Sequence, residues 1–75
     1  MQKISIYTNA SHTLLIIDTP VELKFELRDN NGKLLVTGNK LNQPSIAVNI
    51  QRLTKGAYLL TIFMEGETLQ KKLDL

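Results

Sequence analysis

The stretch VELKFELR at residues 21–28 alternates apolar and charged residues along its whole length. A period of two places the apolar side chains on one face of an extended chain and the charged side chains on the other. A helix would scatter the same apolar residues around its circumference. The segment is therefore predicted to be a β-strand with one face on a core and the other in water.

A turn signal follows this strand directly, in the sequence Asp29-Asn30-Asn31-Gly32-Lys33. Because Asn and Gly both tolerate a positive φ, the Asn31-Gly32 pair predicts a type I′ hairpin turn. Residues 34–37 are expected to pair back on the first strand, and residues 38–40 are expected to end that pairing. A second tight turn is predicted at Glu65-Gly66.

The remaining segments are also typical of short strands. Short strands are predicted at residues 3–7, 13–17, 45–50, 57–63 and 68–75, and a turn around Asn9 separates the first two. Residues 57–63 are apolar on both faces, which predicts a central strand covered from two sides. Lys71 interrupts the apolar face of the last strand, which is therefore expected to lie at an edge or to fray. About seven short strands without a helical period predict an all-β, antiparallel β-sandwich.

Composition narrows the possible functions. A chain of 75 residues holds one domain, residues 1–75, and without cysteine it has no disulfide framework and no thiolate nucleophile. A formal net charge of +2 is too small to indicate nucleic-acid binding. No apolar run approaches the ~18 residues that a membrane-spanning helix needs.

No catalytic residue, metal site or cofactor is expected from the residues. His12 is the only histidine, and its neighbour Ser11 would point to the opposite face of an extended chain, so the two cannot form a nucleophile–base pair. One histidine with scattered carboxylates does not supply a set of metal ligands. The residues therefore favour a small binding or signalling module over an enzyme.

Four motifs, taken in order, resemble the type A C-terminal sorting domain of the type IX (Por) secretion system. Residues 4–10, ISIYTNA, stand where that family has a strand and a Tyr-Pro-Asn-Pro turn. Residues 27–35, LRDNNGKLL, resemble its hairpin, and residues 53–60, LTKGAYLL, resemble its Leu-Pro-x-Gly-x-Tyr stretch. Residues 71–75, KKLDL, resemble its terminal lysine pair. The resemblance covers residues 3–75.

The resemblance implies an immunoglobulin-like sandwich that acts as a sorting signal. Such a domain lies at the C-terminus of a longer exported protein and directs it through the periplasm of a Gram-negative bacterium to the outer membrane, the cell surface or the extracellular space. The implied partners are an outer-membrane translocon, a shuttle protein and a surface sortase. In typical cargo the sortase joins the passenger to anionic lipopolysaccharide. The chain is accordingly expected to be a piece of a longer precursor.

Departures from the family pattern keep two alternatives open. Thr8, Ala10 and Thr54 stand where the family has prolines, and losing a proline loosens a turn. The domain could therefore be retained, uncleaved, as a docking domain of the attachment machinery. A second alternative is an adhesive or carbohydrate-binding sandwich, which would need an exposed aromatic platform built from Tyr7 and Phe63.

Recognition is expected through a sheet edge, because a receptor strand can add to unpaired N–H and C=O groups there. The expected recognition residues are Gly56, Tyr58, Lys71, Lys72, Leu73 and Leu75. The lysines would complement an acidic receptor patch. The expected turn residues are Asn9, Asn31, Gly32 and Gly66. A turn and core role for Gly56 and Tyr58, and edge protection by the lysine pair, are the alternatives.

Overall fold

The computed structural model describes residues 4–75, which form seven strands and no helix. The strands are β1 (Ser5–Thr8), β2 (Leu14–Asp18), β3 (Leu23–Asp29), β4 (Leu34–Lys40), β5 (Ser45–Asn49), β6 (Ala57–Met64) and β7 (Glu67–Asp74). One antiparallel sheet has the order β1-β2-β5 and the other the order β4-β3-β6-β7. The predicted all-β architecture is confirmed. Lys3, which the sequence assigned to the first strand, lies outside the described residues.

The core lies between the two sheets and consists of the side chains that alternate inward. From the three-stranded sheet and its flank these are Leu15, Ile17, Val48 and Ile50, and from the four-stranded sheet they include Leu23, Phe25, Leu27, Tyr58, Leu60, Ile62, Met64 and Leu73. The alternation predicted for residues 21–28 is thus confirmed on β3. Strand β6 is central in its sheet and β7 lies at an edge, as the sequence predicted. The predicted cover on both faces of β6 is wrong, because only one face of the sheet packs on the core and Phe63 on the other face is 37% exposed.

The turn between β3 and β4 differs from the predicted type I′ turn. Among the described residues near it, Gly32 has a positive φ of 85° and Asn31 does not, so the two-residue turn is wrong. Gly32 N donates to Asp29 O at 3.0 Å and Asp29 N donates to Lys33 O at 3.0 Å, which makes a three-residue loop. Such a loop needs one glycine-like residue after an ordinary turn, because only its last position is left-handed.

Strand β4 also continues past the point at which the sequence predicted its end. Gly38 lies within β4, directly opposite Phe25 of β3, and the strand runs on to Lys40. A Cβ at Gly38 would come within 2.9 Å of the Phe25 Cε1 atom. The glycine therefore leaves room for the aromatic ring against the backbone instead of ending the strand.

The sandwich has two ends with different connections. The motif end comprises the turns at residues 9–13, 30–33 and 50–56 together with the last residues of β7. The far end comprises the connections at residues 19–22 and 41–44 and the turn at Glu65-Gly66, where Gly66 has a φ of 75°. Three strand-to-strand turns and the end of the edge strand thus lie together at the motif end.

Candidate functional site

The backbone joins two of the recognised motifs at the motif end. Gly56 N donates to Leu75 O at 3.1 Å, and Leu75 N donates to Gly56 O at 3.0 Å. The β6–β7 ladder then pairs Tyr58 with Leu73 and Leu59 with Lys72. Residues 53–60 and 71–75 are therefore held as neighbouring strands, with the Gly56–Leu75 and Tyr58–Leu73 pairs separated by the Ala57–Asp74 pair.

Tyr58 is a buried anchor. Its side chain lies in the core, and its hydroxyl donates to the backbone carbonyl of Thr54, with the Thr54 hydroxyl 3.3 Å away. A tyrosine that binds the backbone a few residues upstream, at the start of a strand, is a feature of immunoglobulin-like sandwiches. Leu73, opposite Tyr58, is also buried. These two side chains fix the end of β7 but present little surface to a partner.

The turn between β3 and β4 is organised by the Asp29 carboxylate. Its Oδ1 accepts hydrogen bonds from Asn31 N and Lys33 N, both at 2.9 Å. Arg28 supports the same loop, since its Nη1 donates to Gly32 O at 3.1 Å. Its Nη2 also forms an ion pair with Glu26 Oε1 at 3.1 Å. Because three side-chain hydrogen bonds converge on this loop, the hairpin has a defined shape beside the start of β6.

Asn9 organises the turn between β1 and β2. Its Oδ1 accepts hydrogen bonds from Thr13 N and Leu14 N at 2.9 Å, and its Nδ2 donates to Thr13 Oγ1 at 2.9 Å. His12 has a φ of 56° and is exposed. An Asn side chain can replace backbone hydrogen bonds in a turn, so this turn is ordered although Thr8 and Ala10 occupy the family's proline positions.

A depression of about 300 Å³ lies on the outer face of the four-stranded sheet at the motif end. Its lining is Arg28, Asp29, Asn30, Gly32, Ala57, Tyr58, Leu59 and Lys72, and we call it the hairpin pocket. Three of the motifs contribute to it, although they are far apart in the sequence. Arg28, Leu59 and Lys72 occupy one row across β3, β6 and β7.

Lys71 and Lys72 do not form one patch. Lys72 pairs with Leu59 and faces outward beside the hairpin pocket, whereas Lys71 pairs with Leu60, whose side chain is in the core. Neighbouring residues of a strand point to opposite faces of the sheet. Lys71 is therefore an inward-pointing charge at a sheet edge, a device that discourages unwanted strand pairing. Both lysines are exposed.

The free edge of β7 offers main-chain groups at alternate residues. Gly56 and Leu75 exchange both of their hydrogen bonds, so residues of β7 an even number of positions from Leu75 also direct their main chain toward β6. Within the described chain no strand pairs on the other side of β7. The outward N–H and C=O groups therefore belong to Thr68, Gln70, Lys72 and Asp74.

Charge is distributed unevenly between the two ends. Exposed basic residues at the motif end are Lys33, Arg52, Lys55 and Lys72, beside the part-exposed Arg28, and they outnumber the exposed acidic residue Asp74. Exposed acidic residues at the far end are Asp18, Glu22, Glu65 and Glu67, and they outnumber the exposed basic residue Lys24. The motif end of the sandwich is thus the end that attracts an anionic partner.

The exposed aromatic residues do not form one platform. Tyr7 is 49% exposed on β1, in the three-stranded sheet, and Phe63 is 37% exposed on β6, in the four-stranded sheet. Both alternate with inward side chains, so they point away from the core on opposite faces of the molecule. The platform that a carbohydrate-binding sandwich would need from these two residues is therefore missing.

The remaining chemistry at the surface is limited. Within residues 4–75, no three His, Asp or Glu side chains are grouped as metal ligands. The same part of the chain contains no helix long and apolar enough to span a membrane. The exposed His12 lies 3.5 Å from Thr8 Oγ1 through its Nδ1 atom, with no acidic partner to orient it among the hydrogen bonds of this turn.

Arg28 and Leu59 belong to the site although the sequence did not single them out. Each lies within a recognised motif, but only the β3–β6–β7 register brings them into one row with Lys72. The available signal was the alternation of residues 21–28, which already placed Arg28 on the outer face. Nothing local in the sequence identifies the strand that lies beside it.

The chain matches a known family of domains. A family model described as the secretion system C-terminal sorting domain matches residues 5–74. A search of curated proteins found no match. The matched region includes all seven strands and the whole lining of the hairpin pocket.

Proposed function

We propose, on the premise that the chain belongs to the family of secretion system C-terminal sorting domains, that the secretion machinery recognises it by adding a strand to β7. Membership makes the chain a sorting signal for type IX secretion, which implies export of its carrier to the cell surface or the extracellular space. The family is one of sorting signals and not of enzymes. The proposed binding partners are the outer-membrane translocon, the shuttle protein and the surface sortase.

The observation that carries this proposal is the free edge of β7. This strand has eight residues, Glu67–Asp74, pairs with β6 over its full length, and has no second neighbouring strand among residues 4–75. A partner strand that adds to such an edge gains main-chain hydrogen bonds along the strand, and side chains in register then give specificity. A folded edge of this kind could be read after transport to the periplasm.

The residues predicted for recognition divide into supporting and contacting groups. Gly56, Tyr58, Leu73 and Leu75 hold the end of β7 against β6 and keep its outward edge in place. Lys71 and Lys72 are both exposed, but only Lys72 directs its main chain outward, so we assign the contact to Lys72 and edge protection to Lys71. Removing residues 71–75 would therefore delete a buried core side chain along with the contact surface, so point variants test recognition more cleanly.

A proline scan of the edge tests the proposal. Proline is tolerated on an edge strand where its nitrogen faces solvent, and it removes one outward donor. We expect Gln70→Pro in the full exported protein to leave the carrier in the periplasm, whereas Gln70→Ala is exported normally. The measurement is the fraction of carrier on the cell surface and in the medium. The purified Gln70→Pro domain should still melt cooperatively, and normal export of that variant would rule out docking on β7.

Strand addition to β7 is compatible both with a domain that is cleaved after docking and with one that is retained. Thr54 stands at a family proline position, yet its carbonyl still accepts the Tyr58 hydroxyl, so the corner forms without the proline. This favours neither a removable signal nor a retained docking domain. The mass of the surface-exposed carrier distinguishes them, because a retained domain adds 8.5 kDa to the mature protein.

A further inference from the structure

The two lysines of β7 have different relations to its free edge. Lys72 directs its N–H and C=O outward, and its side chain lies on the outer face beside the hairpin pocket. Lys71 directs its main chain to Leu60 of β6, and its side chain projects toward the core side. A strand that adds to β7 can form hydrogen bonds with Lys72 and not with Lys71.

From this register we infer that Lys72, not Lys71, is the specificity-determining residue, and that its partner is an extended segment carrying an acidic side chain opposite Lys72. This inference rests on the proposed strand addition. Directly opposite residues of a hydrogen-bonded pair have Cα atoms about 5.5 Å apart and side chains on the same face. A carboxylate at that position would lie beside the Lys72 ammonium group.

The surroundings of Lys72 fit an acidic side chain. No ion pair or hydrogen bond of the Lys72 side chain occurs among residues 4–75, whereas Arg28 is already paired with Glu26 and Asp29 Oδ1 is occupied by two backbone amides. Leu59 lies between Arg28 and Lys72 in this row, so the surface beside the Lys72 side chain is apolar. Asp74 is exposed two positions further along the same face. Because Asp74 would repel an acidic residue opposite it, we expect the partner segment to be acidic opposite Lys72 but not opposite Asp74.

The hairpin pocket begins beside Lys72 on the outer face of the sheet. A strand added to β7 lies about 5 Å from β7, so an acidic side chain opposite Lys72 meets the Lys72 ammonium group at the rim of this pocket. Arg28 lies on β3, two strands further into the sheet, and keeps its contacts with Gly32 O and Glu26 Oε1.

Matched charge reversals test the inference in the full exported protein. We expect Lys72→Glu to reduce the surface fraction of the carrier by roughly tenfold or more, because two carboxylates would then lie opposite each other. Lys72→Arg keeps the charge and should export within about twofold of the original protein. Lys71→Glu makes the same change of net charge on the adjacent residue and should also export within about twofold.

The folding of each variant is checked by its melting temperature, which should change little because both lysines are exposed. Equal losses for Lys71→Glu and Lys72→Glu would overturn the inference, since total charge and not register would then decide docking. Unchanged export of Lys72→Glu would also overturn it. If either of these results occurred while Gln70→Pro still lost export, only the role of Lys72 would be rejected and strand addition would be kept. Normal export of Gln70→Pro would reject strand addition itself.

Discussion

The two ends of the sandwich are ordered by side chains that differ in charge and burial. At the motif end, side chains of Asn9, Asp29 and Tyr58 bind nearby backbone groups and shape the turns. At the far end, Gln43 Oε1 accepts from Leu41 N at 2.9 Å, and Lys40, which is 0% exposed, donates from its Nζ to Gln43 O at 2.8 Å. Side-chain bonds to nearby backbone therefore order both ends, but only at the far end does a fully buried lysine supply one of these bonds.

The difference also extends to the surface. The motif end is basic and carries the hairpin pocket, while the far end is acidic and has a wider depression of about 750 Å³ beside the exposed Leu41 and Phe63. Residues of the recognised motifs line the hairpin pocket, whereas none of them lines the wider depression at the far end. The motifs of this domain thus mark one end, where the turns and the end of the free strand edge lie together.

The largest expected effect is the loss of the tyrosine anchor at the motif end. Tyr58→Ala removes a buried ring and leaves the Thr54 carbonyl without its hydroxyl partner, which should destabilise the domain by about 3–5 kcal/mol. A loss of that size should lower the melting temperature by at least about 12 °C. Thermal unfolding followed by circular dichroism measures it.

Tyr58→Phe is the matched control, because it keeps the ring and removes only the hydroxyl, with an expected loss of about 1 kcal/mol. If both variants lost the same stability, the hydrogen bond and not the packing would be the anchor. A melting temperature for Tyr58→Ala within a few degrees of the original would contradict the structural role assigned to Tyr58.

At the far end, Lys40→Ala is expected to reduce stability by less than Tyr58→Ala. This change removes the buried aliphatic part of the lysine side chain and the charge-assisted hydrogen bond to Gln43 O. It should lower the free energy of unfolding by about 2–3 kcal/mol. Lys40→Met keeps most of this aliphatic part and should lose less. Urea unfolding of the two variants measures the difference. If Lys40→Ala were as stable as the original, the buried ammonium group would contribute nothing to the far end.

The smallest effects on stability are expected from reversing exposed charges at either end. Arg52→Glu with Lys55→Glu changes the motif end, and Glu65→Lys with Glu67→Lys changes the far end, each within about 0.5 kcal/mol per substitution. Export of the full carrier should fall for the motif-end pair, by less than for Lys72→Glu, because these charges act at longer range. The far-end pair should leave export unchanged, and equal losses from both pairs would contradict a directional role for charge.

Several features of the fold could be predicted from the sequence because they depend on local periodicity. The alternation at residues 21–28 correctly predicted which side chains of β3 face the core, and the apolar stretch at residues 57–63 predicted a central strand. The hairpin turn was placed correctly but its type was wrong, since the Asp29 side chain favours a three-residue loop. Gly38 was read as a strand end because its partner Phe25 lies on another strand.

The candidate site was predictable only in part. Lys71 and Lys72 are adjacent in the sequence, so their projection to opposite faces follows from the strand period alone. The sequence did not reveal that Lys72 shares a row with Leu59 and Arg28, or that Lys40 is fully buried. Those facts depend on which strands become neighbours.

By itself the sequence determined the strands, their inward and outward faces, and the family to which the motifs belong. The tertiary structure alone decided the order of the strands, the gathering of three distant motifs around one pocket, and the assignment of the free edge to Thr68, Gln70, Lys72 and Asp74. The physical reason is that alternation is a property of neighbouring residues in the chain. Strand order and register instead arise from burying the apolar faces of distant segments against one another.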